Sequence, residues 1–186
     1  DLLSFFSNFN FMLYYKMINK STSIGIVFIM ADIHVYKARR LLCFIDSGQT
    51  VFSCPIGLGP SPVGTKRAEG DGKTPEGKYR VCTRNSRSKY TLFLGLSYPS
   101  PTDAQAAFSR GEISVEQLHA ILQAHAAGQR PPWNTPLGGE IGIHGGGVRQ
   151  GDGLADNTAG CIALLDDDIR RLWELAPLGT RVVIHP

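Results

Sequence analysis

The sequence predicts a mainly β domain with one helical insertion and one C-terminal helix before the last strand. Three observations predict it. From residue 32 onward, apolar runs filled by Val, Ile, Phe and Cys alternate with clusters of Gly, Pro and Asp, the pattern of strands with at least one buried face. Apolar residues at helical spacing occur in two places, within 101–128 and 166–176, too few for a helical protein. A length of 186 residues with 42% hydrophobic and 19% charged residues suits one globular core and is short for two.

Residues 1–30, DLLSFFSNFNFMLYYKMINKSTSIGIVFIM, differ in character from the rest and read as a leader or an upstream extension. From Met17 a lysine is followed by an apolar stretch too short to span a bilayer, and Ile29 stands where a leader cleaved after Ala31 would carry a small residue. Residues 31–186 are expected to form one domain. Its first strands are IHVYKA, RLLCFID and TVFSCPIGLG, with Asp46-Ser47-Gly48-Gln49 as a tight hairpin turn between the last two. Residues 59–78, GPSPVGTKRAEGDGKTPEGK, have no periodicity and are dense in Gly and Pro, so they predict a long surface loop. Gly72-Lys73-Thr74 is not the end of a phosphate-binding loop: Arg67 stands where that motif needs glycine, and Pro75 interrupts the helix that should follow.

Lys78–Arg84 and Tyr90–Leu96 return to strand pattern, and Tyr98, just beyond, reads either as projecting into a cleft or as a half-buried strand aromatic. A short helix is expected over about Asp103–Ser109. A second begins at Ser114, which with Gln117 makes a capping box, runs through Val115, Leu118, Ile121 and Leu122, and stops at Gly128. These two helices read either as a flap over the cleft or simply as a decorated loop, with His119 and His125 expected at the surface. Asp166–Asp168 put carboxylates at the start of a third helix whose apolar face is Ile169, Leu172, Trp173 and Ala176. Pro177 and Gly179 end it, and Thr180–His185 form the final strand, where His185 is expected to be structural.

The net charge of +3 is mild, and no run of Lys or Arg interleaved with aromatics argues for nucleic acid. Cys43, Cys54, Cys82 and Cys161 show no CxxC and no metal-ligand spacing, so zinc is set aside and no metal or organic cofactor is expected. In a chain with this much apolar residue to bury, the first three predict packed free thiols, with a Cys43–Cys54 bridge as the lesser alternative.

The chemistry concentrates in residues 141–164, IGIHGGGVRQGDGLADNTAGCIAL. His144 closes one apolar run and Cys161 opens another, seventeen positions later across a glycine-rich loop. An imidazole beside a thiol can take its proton and release the nucleophilic thiolate. Glycine lets a substrate backbone approach closely, and the amides of Gly160 and Cys161 are the expected donors to a developing oxyanion.

His144, Gly145, Thr158, Gly160, Cys161 and Ile162 at this spacing resemble the active-site signature of the L,D-transpeptidase catalytic domain, the cysteine enzymes that cross-link peptidoglycan. The segment Gly70-Asp71-Gly72-Lys73-Thr74-Pro75-Glu76-Gly77 with Tyr79 resembles the family's substrate-side loop, and Leu96–Pro99 its central strand. The resemblance covers roughly residues 32–186. It implies a β-sandwich-like fold, with Cys161 as nucleophile, His144 as general base, and Gly160 and Cys161 as oxyanion amides; Gly145, Thr158, Tyr98 and Arg149 are the candidate substrate-side residues. Cys161 would attack the third residue's carbonyl in a tetrapeptide stem, release D-alanine through a thioester, and pass the acyl group to a second stem as a 3→3 cross-link. The implied partners are peptidoglycan stem peptides, the implied site is extracytoplasmic, in periplasm or cell wall, and no nucleic acid or membrane span is expected.

A third group usually orients such a histidine; Asp152 and Asp156 lie in the loop, while the family is understood to use a backbone carbonyl. Ala159 and Ala163 stand where the commoner family pattern has histidine and arginine, so the sequence is similar to a TAGCIAL-type branch. Arg149 is the residue offered in place of the missing guanidinium. Two alternatives stay open: an L,D-carboxypeptidase or amidase-type hydrolase of the same fold, and a non-catalytic wall-binding module. The oligomeric state is not read from the sequence.

Overall fold

The computed structural model describes residues 31–186, so the reading of 1–30 lies outside the described residues. Ten strands and three helices are described. The first three strands, β1 (Asp32–Tyr36), β2 (Leu41–Asp46) and β3 (Gln49–Pro55), form the expected antiparallel meander. Ser47 and Gly48 both take positive φ at its turn, which glycine adopts without a Cβ penalty. The last strand, β10 (Arg181–His185), lies parallel to β1, pairing Ile33 with Val182 and Val35 with Ile184.

Strand β4 (Gly77–Ser88) determines the shape of the sheet. Its first residues pair with β10 and its later ones with β5 (Thr91–Leu96), and the register shifts between Val81 and Thr83 where it changes partner. A bulge bends and twists a strand locally. The eight-stranded sheet, in order β3-β2-β1-β10-β4-β5-β6-β9, therefore folds over one core, where Ile33, Val35, Leu42 and Phe52 meet Leu94, Leu96, Ile143 and Ile162. The architecture is mainly β and sandwich-like, as the sequence predicts.

Helix α1 (Pro101–Ser109) starts with Pro at its first position and a capping box between Ser100 and Asp103. Helix α2 (Val115–Ala126) starts with the Ser114/Gln117 capping box. Ala104, Ala107, Ile113 and Ile121 belong to the common core. The insertion is thus a packed wall of the domain, which corrects the expectation of a flap. His119 is exposed, while His125 is part-buried with Nε2 2.8 Å from the Pro99 carbonyl. Helix α3 (Asp166–Leu175) carries three aspartates in its first turn and buries Ile169 and Leu172. His185 is stacked on Tyr36 with ring centroids 4.7 Å apart, in keeping with a structural role.

The four cysteines are free. Cys43 pairs with Ser53 and Cys54 with Leu42, so the two thiols point to opposite faces of the sheet and cannot bridge.

Candidate active site

Two short strands hold the site. In β6 (Gly142–His144) and β9 (Ile162–Ala163), which run parallel, Ile143 pairs with Ile162 and His144 with Ala163. Cys161, one residue before β9, therefore stands opposite Gly142. Because faces alternate along a strand, Ile143 and Ile162 point into the core, both fully buried. His144 and Cys161 belong to the other face, two residues apart in register along adjacent strands. The β9 segment is clamped on its far side by Gly57, which exchanges backbone hydrogen bonds of 2.9 and 2.8 Å with Ala163. The loop between the two residues contains a small ribbon, β7 (Arg149–Gln150) with β8 (Gly153–Leu154).

His144 is 5% exposed. Its Nδ1 lies 2.6 Å from the Gly145 carbonyl. A carbonyl only accepts, so Nδ1 carries the proton and Nε2 keeps a free lone pair. Burial pushes the imidazole below its ordinary value, opposed in part by that hydrogen bond. One face of the ring is covered by Tyr90, stacked at 4.3 Å, and Phe93 lies further off at 6.4 Å. Tyr90 is itself 41% exposed and has the Lys89 ammonium 4.9 Å from its ring centroid.

The Cys161 sulfur donates to the Glu140 carbonyl at 3.3 Å. Burial raises this thiol to about 11, against a lesser opposing effect from the Gly142 amide and the Lys66 charge. Both shifts favour a neutral thiol beside a neutral imidazole, so the resting pair is not a thiolate-imidazolium ion pair.

The backbone before the cysteine is fixed by the 70–77 loop. The Thr74 hydroxyl, fully buried, donates to the Gly160 carbonyl at 2.9 Å. Gly160 has φ +124°, and a Cβ there would lie 2.5 Å from the Lys73 carbonyl oxygen, so no other residue fits. Asp71 holds the loop itself by accepting from the amides of Arg67, Ala68 and Lys73 and from Lys66. On the other side, Asp156 accepts from Arg40 and from the Leu58 amide, tying the 145–160 loop to the turn between β1 and β2 and to the segment after β3. Asp156 is thus a strut, and the group that orients His144 is the Gly145 carbonyl.

The substrate-side residues named from the sequence are placed as follows. Tyr98 is fully buried, donates from its hydroxyl to the Leu137 carbonyl at 3.1 Å and packs edge-on against Tyr79. It cannot touch a substrate, which corrects the reading that projected it into the cleft. Gly145 is likewise enclosed, since a Cβ there would lie 2.6 Å from Asp166 Oδ1 and 2.8 Å from Ile169; what it offers is its carbonyl. The Thr158 hydroxyl accepts from Gly160 N–H at 3.1 Å and donates to the Cys161 carbonyl at 2.8 Å, so it is spent inside the loop. Arg149 lines a cavity with Ser53, Cys54 and Asp166–Asp168, to which neither Cys161 nor His144 contributes. Sequence reasoning missed Tyr90, Thr74 and the Glu140 carbonyl; only Thr74, inside the motif loop, had a signal to follow. No group of three or more metal-ligating side chains occurs among the described residues.

The chain matches the YkuD family model, described as an L,D-transpeptidase catalytic domain, over residues 30–184. Comparison with curated proteins by sequence returns no match. Among solved structures, the chain is similar to the helical cell shape determining protein Pgp2 of Campylobacter jejuni, as its K307A mutant, with TM-score 0.60 and 20% identity over 84% of this chain and 47% of that one. It is also similar to Bd1075 of Bdellovibrio bacteriovorus, with TM-score 0.54 and 22% identity over 84% of this chain and 48% of that one. This chain spans about half the length of those two, and at such identities the likeness is one of fold.

Proposed function

The chain belongs to the L,D-transpeptidase catalytic domain family, and from that premise we propose that it is a cysteine acyltransferase acting on peptidoglycan stem peptides. The observation that carries the proposal is the β6–β9 register, which raises His144 and Cys161 from one sheet face with the His144 tautomer set by Gly145. Substrate binding displaces the Cys161 thiol from the Glu140 carbonyl, and Nε2 of His144 accepts its proton as the sulfur attacks the carbonyl of the third stem residue. Since Gly160 N–H is engaged by Thr158, the oxyanion falls first to Cys161 N–H. Collapse forms the thioester and breaks the bond to D-alanine, whose nitrogen takes the proton from His144.

An amine of a second stem then attacks the thioester, His144 accepts its proton, and the thiol re-forms as the 3→3 amide is made. Water in place of the amine gives a free tripeptide, so the hydrolase reading uses the same residues. No step needs a metal or an organic cofactor. The setting is extracytoplasmic, where the substrate lies; among the described residues no helix is long and apolar enough to cross a membrane. The likeness to a cell shape determining protein supports a role in cell-wall organisation and cell shape.

Disaccharide tetrapeptide incubated with wild type and with Cys161→Ala, followed by product mass analysis, tests the proposal. Cross-linked dimer with wild type alone is the expected result, and free tripeptide selects hydrolysis. An unchanged substrate, or equal product from Cys161→Ala, refutes it.

A further inference from the structure

Between the 65–76 loop and α1 lies a cavity of about 310 Å³ whose lining includes Lys66, Arg67, Glu76, Asp103 and Arg110. Glu76 is bound by Lys37 at 2.7 Å, and Asp103 accepts from Ser100 and from the Tyr79 hydroxyl. Arg110 is held by both oxygens of Glu112. Glu76 and Asp103 each keep one carboxylate oxygen without a partner among the described residues, so the cavity is of mixed sign, and its spare donors are on Lys66 and Arg67. The Lys66 side chain is 3% exposed and spends two ammonium protons on the Ala68 carbonyl, at 2.8 Å, and on Asp71, at 3.0 Å, which leaves a third. The Arg67 side chain has no hydrogen-bond partner among the described residues.

This cavity is joined to the cysteine by two backbone ties. Glu69 N–H donates to the Pro136 carbonyl at 2.9 Å, in the segment leading to Glu140, whose own carbonyl accepts the thiol. The Lys73 carbonyl packs on Gly160. We infer that the cavity is a carboxylate subsite, in which Lys66 and Arg67 hold the free C-terminal carboxylate of the peptide whose acyl group Cys161 takes. The inference rests on the acyl-transfer reading above. A buried ammonium with an unspent proton binds a carboxylate by a charge-assisted hydrogen bond in a site where water competes little, and Arg67 at the rim supplies a second donor. Consistent with this proximity, the Lys66 charge also favours ionisation of the Cys161 thiol.

The test is calorimetric titration of the Cys161→Ala protein with a stem tetrapeptide bearing either a free C-terminal carboxylate or its amide. The acid is expected to bind at least roughly tenfold more tightly, the worth of one hydrogen bond to a charged group. Adding Arg67→Ala or Lys66→Met should bring the two peptides together. Equal binding of acid and amide, no binding of either, or a preference that survives both variants overturns the subsite. If Lys66→Met fails to fold through loss of its Asp71 contact, Arg67→Ala, whose side chain makes no hydrogen bond among the described residues, decides alone. A retained preference for the acid together with no product from wild type would sink the cysteine chemistry and leave the subsite standing.

Discussion

The raised Cys161 thiol gives the sharpest prediction, because an activated cysteine is commonly pictured as a standing thiolate. Burial lifts this thiol from an ordinary 9.0 to about 11, which corresponds to about 3 kcal/mol against ionising it in place. At neutral pH the thiolate is then roughly one molecule in ten thousand, against about one in a hundred for an ordinary thiol. A more basic thiolate is intrinsically more nucleophilic, with a Brønsted coefficient of about 0.4–0.5, which returns about tenfold of that hundredfold loss. Cys161 in the free protein should therefore react with iodoacetamide about tenfold more slowly than an unhindered cysteine at neutral pH. Its rate should go on rising to an inflection near 11. The assay is the alkylation rate by intact mass as a function of pH, with Cys161→Ala subtracting the other thiols and circular dichroism verifying the fold at each pH. An inflection below about pH 8 would mean a preformed ion pair and would refute the neutral-pair account.

Burial also lowers His144, and a base works only unprotonated, so the acid limb of kcat/KM should fall below the ordinary imidazole value of 6.5; Tyr90→Ala, by uncovering the ring, should move that limb up toward 6.5, and Tyr90→Phe should not. Thr74→Val leaves the buried Gly160 carbonyl without its donor and should cost about 1–3 kcal/mol, read from the urea midpoint at unchanged slope. Gly160→Ala combines the positive φ with a clash on Lys73 and should lower Tm and abolish turnover, whereas wild-type stability would show that the loop can yield. Arg149→Ala, altering a residue that lines the other cavity, should leave kcat and KM for tetrapeptide unchanged.

What could be read from the sequence was what short-range chemistry decides. The Ser114/Gln117 box, the Asp46–Gln49 turn and the acidic start of α3 are each written within a few residues, so their elements stand close to where periodicity places them. The spacing of His144 and Cys161 across glycines was equally plain as a pattern. Contacts that depend on register were not. Alternation shows that a strand has two faces without saying which neighbour each face meets. Tyr90 covers His144 only because Phe93 pairs with His144 across β5 and β6. Tyr98, read as a candidate for the cleft, finds its partner at Leu137, 39 positions on in a loop with no periodicity to interpret. The long-range struts, Thr74 to Gly160 and Arg40 to Asp156, join residues 86 and 116 positions apart, beyond the range of any local rule.

Those same struts set when the nucleophile can exist during folding. Gly57, Leu58 and Thr74 on one side and His144 on the other must all arrive before the short segment around Cys161 has its backbone conformation. Contacts so distant along the chain are closed late, after the entropy of long loops has been overcome. A partly synthesised or partly folded chain therefore holds an ordinary cysteine with no base beside it, and the acyl-transfer competence proposed above would arise only with closure of the sheet.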